Sequence, residues 1–169
     1  MNENKSKFYH HGLIYGAYSG IVISIVLWIS ELVKGEISFG GLITYIVLST
    51  GILFCQRSWS FFHVENKPTF WNITFLGVVC GFGATLISSL YLTIDLKIIH
   101  PDALNEMTKQ AISKMHEMKS LSSNEIEEAK VIFETLKIPM TILSYIIYNI
   151  FISFLFSAFS AWLAKIQKK

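Results

Sequence analysis

Four stretches of the chain contain no Asp, Glu, Lys or Arg: Phe8–Ser30, Ile37–Gln56, Pro68–Ile94 and Ile138–Ala164. Each runs for 20 to 27 residues, and about 20 mainly apolar residues of helix cross the roughly 30 Å hydrocarbon core of a bilayer. The pattern predicts four transmembrane helices, near 12–32, 37–55, 72–94 and 139–163. Lys5 and Lys7 precede the first run as in a signal peptide. That run is too long for a cleaved apolar segment, however, and no A-x-A-like site follows it, so it reads as an uncleaved first span.

The stretch between the third and fourth runs, 95–137, is polar but periodic. Pro101 and Asp102 suit the first turn of a helix, where proline's missing N–H costs nothing and an acid meets the positive helix end. Leu104, Met107, Ala111, Met115 and Met118 follow at three- and four-residue steps, a single helical stripe. Ser122 and Glu125 match a capping box, and Ile126, Ala129, Phe133 and Leu136 form a second stripe. The segment therefore reads as an extramembrane antiparallel helical hairpin, neither helix being long or apolar enough to span. The second helix can run on into the fourth span, with Pro139 as a kink or restart point. The fold class expected is an all-α membrane protein: one integral membrane domain over 1–169, with four transmembrane helices and a hairpin inserted between spans 3 and 4.

Composition narrows the field further. Of 169 residues, 52% are hydrophobic and 15% charged, against roughly 25% charged in soluble domains; mean hydropathy is +0.48. A soluble or disordered chain is excluded. The net charge of +2 gives no pull toward nucleic acid. Cys55 and Cys80 lie in apolar runs and read as small buried hydrophobes, with no disulfide framework. Trp28, Trp59, Trp71 and Trp162 fall at or near the predicted span ends, where indole sits half buried with its N–H in water. Lys165, Lys168 and Lys169 close the fourth span with cations that snorkel outward.

Orientation rests on where basic residues concentrate. Lys5, Lys7, Arg57, Lys67, Lys165, Lys168 and Lys169 fall in short tails and loops on one side. The other side has Lys34 and six lysines dispersed along the hairpin, among eight acids. Density favours both termini inside, in a multi-pass protein of the cytoplasmic (inner) membrane with the hairpin outside.

No span carries a central Asp, Glu, Lys, Arg or His, which counts against a pump or coupled transporter. Glu31 and Asp95, at the outer span ends, read as hydrated boundary residues, or as a polar cluster with Lys34 or Lys97. A ladder of small residues is the clearest pattern. Gly12, Gly16, Gly20 and Ser24 stand four apart on the first span, Gly77 and Gly81 on the third, and Ser153, Ser157 and Ala161 on the fourth. Such spacing lets helix backbones approach closely in lipid, first within one monomer and alternatively between copies. Tyr145, Asn149, Ser153, Ser157 and Ser160 form a polar face on the fourth span, as interhelical glue or the lining of a small pocket. The histidines (His10, His11, His63, His100 and His116) have no i, i+4 pair for a metal, and no nucleophile elbow, zinc signature or nucleotide-binding loop is present. No cofactor, metal site or catalytic residue is expected.

Gly35-Glu36-Ile37-Ser38-Phe39-Gly40, the Asn72-Ile73-Thr74-Phe75 start of the third span, His100-Pro101-Asp102-Ala103 and above all Ser122–Glu128 resemble domain-of-unknown-function family 4199. The resemblance covers nearly the whole chain and implies a small bacterial four-span membrane protein with a helical insertion before the last span. The 56–71 loop, with Arg57, Trp59 and Trp71, departs most from that pattern. The family supplies architecture but no activity or site. The expectation is a non-enzymatic structural or interaction role through the hairpin, whose candidate face is Met107, Met115, Met118 and Phe133. Its partners would be the bilayer and either a second copy or another protein. The alternative is a small oligomeric transporter or channel for an uncharged or weakly polar solute, lined by Tyr145, Asn149 and Ser153.

Overall fold

The computed structural model describes residues 3–32, 38–62, 69–117 and 123–166. Among them every regular element is helical: α1 Glu3–Leu32, α2 Ser38–Phe62, α3 Phe70–Ile94 with a π-helical turn Asp95–Ile99, α4 Asn105–Glu117 and α5 Ser123–Ile166. Segments Lys7–Ser30, Phe70–Ile99 and Glu127–Ala164 are long and apolar enough to cross a membrane. Residues 38–55 of the second predicted span fall in α2, a helix of 25 residues and thus about 38 Å, and residue 37 lies outside the described residues.

Two boundaries differ from the sequence reading. The stretch 56–62, expected in a loop, continues α2, because Gln56, Ser58 and Trp59 all find partners on neighbouring helices. The expected second helix of the hairpin and the expected fourth span form one helix of 44 residues with Pro139 inside it, about 66 Å long, which is the continuation the sequence left open. Proline removes only the N–H that would bond Thr135 O, and the helix continues around the gap. Pro101 and Asp102 lie in a turn rather than in a helix, and α4 begins at Asn105. Ser122 of the expected capping box and Met118 lie outside the described residues.

The chain divides into two compact units, Met1–Ser89 with Ile146–Lys169, and Leu90–Tyr145. In the first, small residues set the packing. A Cβ on Gly12 would stand 2.8 Å from Val79 Cγ1, one on Gly16 would strike Cys80 O, and one on Gly20 would lie 2.6 Å from Ala84 O. Contacts ascending both helices together mean that α1 and α3 run parallel. On α2 the order reverses: Gly51 faces Ser19 and Ser58 faces Tyr15. It reverses likewise on α5, where Ser157 meets Gly77 and Ser153 meets Gly81. Taken in chain order, α1, α2, α3 and α5 thus alternate up and down, and the parallel α1 and α3 pack directly on each other. The apolar core between them is Ile23, Leu48, Ile52, Cys55, Leu76, Cys80 and Ala84; both cysteines are buried and free.

The distribution of polarity is inverted relative to a water-soluble helical domain. Ser19, Thr44, Gln56, Thr74, Thr85, Ser88, Asn149, Ser153 and Ser157 are buried, whereas Ile21, Ile25, Trp28, Ile46, Phe54, Leu90, Ile147, Phe151 and Phe154 are exposed. Water would penalise both halves of that arrangement; hydrocarbon rewards both. Several hydroxyls satisfy themselves on their own helix, as in Ser24 to Gly20 O, Thr85 to Gly81 O and Ser88 to Ala84 O.

Candidate functional site

Gln56 bonds to two neighbouring helices of the first unit. It is 4% exposed and sits where the end of α2 meets the start of α3 and the end of α5. Its Nε2 donates to Ile73 O at 3.0 Å and to Ser157 Oγ at 2.6 Å, with Ser157 O at 3.3 Å. Ser157 Oγ donates its own O–H to Thr74 O at 2.6 Å, and Ser160 Oγ donates to Gln56 Oε1 at 2.6 Å. This pattern fixes the amide's orientation, since a flipped amide would set its oxygen against two carbonyls. The sequence reading passed over Gln56 because it lay at the edge of a charge-free run. A lone amide before Arg57 was the available signal.

Beside it, Phe8, His11, Tyr15, Trp59 and Phe75 close the same end of the unit. Trp59 lies edge-on to Phe8 at 5.3 Å and tilts against His11 at 5.3 Å. Tyr15 OH donates to Ser58 Oγ at 2.9 Å, and His11 Nε2 lies 3.3 Å from Cys55 O. Trp59 is therefore an interhelical wedge, while Trp28, Trp71 and Trp162 are half or more exposed.

The predicted packing residues fall on two helix contacts. Gly12, Gly16 and Gly20 lie against α3, and Gly77 and Gly81 against Ser157 and Ser153. Of the predicted polar face, Asn149 and Ser153 are buried and Tyr145 is half-buried. Ser153 Oγ and Thr74 Oγ1 are buried with no hydrogen-bond partner.

The second unit holds a cleft of about 410 Å³ lined by Leu104, Thr108, Ile132, Phe133, Leu136, Lys137, Met140 and Thr141. Its polar edge is a short chain of bonds. Asp102 Oδ1 accepts from Asn105 Nδ2 at 2.5 Å, and Asn105 Oδ1 accepts from Lys137 Nζ at 2.6 Å. Of the predicted interaction face, Phe133 lines the cleft and Met115 is half-buried; the side chain of Met107, like Met118, lies outside the described residues. Asp95 is neither a hydrated boundary residue nor paired with Lys97. It is buried, and its Oδ1 accepts from His100 Nδ1 at 2.8 Å, while His100 N–H reaches Asp95 O at 2.7 Å. The π-helical turn is what brings residues five apart together. Lys34 lies outside the described residues. Among the described residues no three His, Cys, Asp or Glu side chains group as metal ligands.

An all-helical chain with buried amides and hydroxyls, apolar outer faces and helices of spanning length belongs with the membrane proteins. A family model described as Protein of unknown function (DUF4199) matches residues 10–165, and the chain belongs to that family. Comparison with curated proteins and with solved structures gives no match.

Proposed function

We propose that the protein is a non-enzymatic integral membrane protein with four spans, formed by α1, α2, α3 and the C-terminal part of α5. In this reading α4 and the first turns of α5 form a hairpin outside the bilayer, and recognition takes place in that hairpin. The observation that carries it is the cleft between Leu104 in the turn before α4, Thr108 of α4 and Ile132–Thr141 of α5. It is a concave, mainly apolar site of the size that takes small ligands, about 300–1,000 Å³.

Helix lengths and directions support the topology. Up–down alternation of α1, α2, α3 and α5 suits successive crossings, and about 66 Å of α5 is twice what a bilayer core holds. The excess falls on the turns that carry Glu125, Glu127, Glu128, Lys130, Glu134 and Lys137. The Tyr145–Asn149–Ser153 face supports a solute path less well, because Ser153 lies against Gly81 and Ser157 against Gly77, leaving that side filled by α3.

Deleting 102–134 and bridging the gap with a flexible linker tests the assignment. The spans are expected to insert and fold while ligand retention or self-association is lost. Loss of stable insertion would make the hairpin a structural cap and end the proposal.

A further inference from the structure

The cleft's chemistry is one-sided. Leu104, Ile132, Phe133, Leu136 and Met140 supply apolar wall. Thr108 and Thr141 add hydroxyls, but each already donates to its own helix, Thr108 Oγ1 to Leu104 O at 2.9 Å and Thr141 Oγ1 to Lys137 O at 2.7 Å. Neither proton is left for a ligand. A sugar, a nucleotide or a peptide backbone would meet no free hydroxyl donor and only two hydroxyl acceptors along this wall. Lys137 is the exception. Its ammonium donates to the neutral amide of Asn105, and the Asp102 carboxylate binds that amide rather than the ammonium. The contact pins Lys137 at the cleft and, among the described residues, uses one of its three N–H donors and pairs it with no carboxylate.

Position then selects the partner. Lys137 is the last charged residue before the charge-free run Ile138–Ala164, the level at which a span meets lipid headgroups. On one face of α5, Ile132, Leu136, Met140 and Leu143 are 57%, 43%, 59% and 55% exposed. These positions, spaced by four, four and three residues, carry an unbroken apolar track from the cleft into the span.

We infer that the cleft holds one acyl chain of an anionic bilayer phospholipid, with the phosphate on Lys137 Nζ. The inference rests on the hairpin reading above and names the ligand of that site. A volume of about 410 Å³ is toward the small end of ligand sites and suits one chain, the second chain remaining in the bilayer along Met140 and Leu143. A bilayer lipid is favoured over a free fatty acid because the apolar track leads to the membrane and not to water.

The test is native mass spectrometry of the full-length protein in detergent with added dioleoylphosphatidylglycerol or dioleoylphosphatidylcholine. One phosphatidylglycerol is expected to be retained in preference to phosphatidylcholine. Lys137→Gln should weaken that retention about fivefold, the effect of one cation near a lipid phosphate, and weaken phosphatidylcholine, whose headgroup carries a cation beside the same phosphate, by less. Met140→Trp, which puts bulk at an exposed position of the cleft wall, should reduce both. Lys130→Gln removes the same charge from an exposed site outside the cleft and should change nothing. Equal losses in Lys137→Gln and Lys130→Gln would reduce the effect to diffuse attraction and overturn the assignment, as would oleate binding more tightly than phosphatidylglycerol. Labelling of Ser123→Cys in cells separates the two failures. If that residue lies on the side opposite the termini yet no lipid is retained, only the lipid assignment falls; if it shares their side, the hairpin reading falls first.

Discussion

A methyl group added to Gly16 of α1 would strike the carbonyl oxygen of Cys80 of α3 and would stand 3.0 Å from Gly83 Cα. What opposes it is backbone, which cannot rotate aside as a side chain does. The two helices are therefore in contact through main chain, and their spacing is set by the absence of a side chain at one position.

Gly16→Ala is expected to lower stability by about 1–3 kcal/mol, the usual cost of overpacking, and Gly16→Leu to prevent correct assembly. Gly41 has nothing within 4 Å of its would-be Cβ, so Gly41→Ala should be neutral or slightly stabilising. Thermal unfolding in detergent compares them. Equal behaviour of Gly16→Ala and Gly41→Ala would refute the contact.

Gln56 and Ser160 should behave as a coupled pair. Single hydrogen bonds between membrane helices contribute about 0.6 kcal/mol on average and up to about 1.7, so Ser160→Ala in the parent should cost an amount in that range. In a Gln56→Leu background the same change should cost nothing, because the acceptor Oε1 has gone. A double-mutant cycle on detergent stability reads the difference, and full additivity would show that the bond contributes nothing.

Two serines on one face of α5 should respond in opposite directions. Ser157 bonds both Gln56 and Thr74 O, so Ser157→Ala leaves buried groups unpaired and should destabilise by about 1–2 kcal/mol. Ser153 Oγ is buried without a partner against Gly81. Removing it eliminates an uncompensated polar atom and keeps the Cβ in place, so Ser153→Ala should hold or raise the melting temperature. A marked loss there would show that the hydroxyl has a bonding role.

Topology is open to a direct measurement. In a chain whose Cys55 and Cys80 are replaced by Ala, Ser123→Cys should react with a membrane-impermeant maleimide in intact cells. Reaction only after the cells are opened would reverse the orientation.

Much of the helical content was legible because it is local. In lipid a backbone must satisfy its own N–H and C=O groups, so a charge-free run of sufficient length is a helix whatever surrounds it. The same logic left open whether a helix stops or continues at residue 137. A charge such as Lys137 ends an apolar run, whereas a helix ends only where its hydrogen-bond ladder does, and α5 runs through both that residue and Pro139. Asp95 was misread for a related reason. Its partner His100 is five residues on, reached by a π-helical turn, and a search at three- and four-residue steps does not pair them.

The sequence by itself determined that the chain is helical, that its solvent is in large part hydrocarbon, and that small residues recur four apart on three of the apolar runs. Each property depends on neighbours within a few turns. Tertiary structure alone decided which stripe meets which: Gly12, Gly16 and Gly20 on α3, Gly77 and Gly81 on Ser157 and Ser153. It also made Gln56, an unremarked end residue, the link between α2, α3 and α5, and set Lys137 against Asn105, 32 residues away. Those pairings join residues far apart in the chain through surfaces that exist only once the helices have formed and packed, and no local period encodes them.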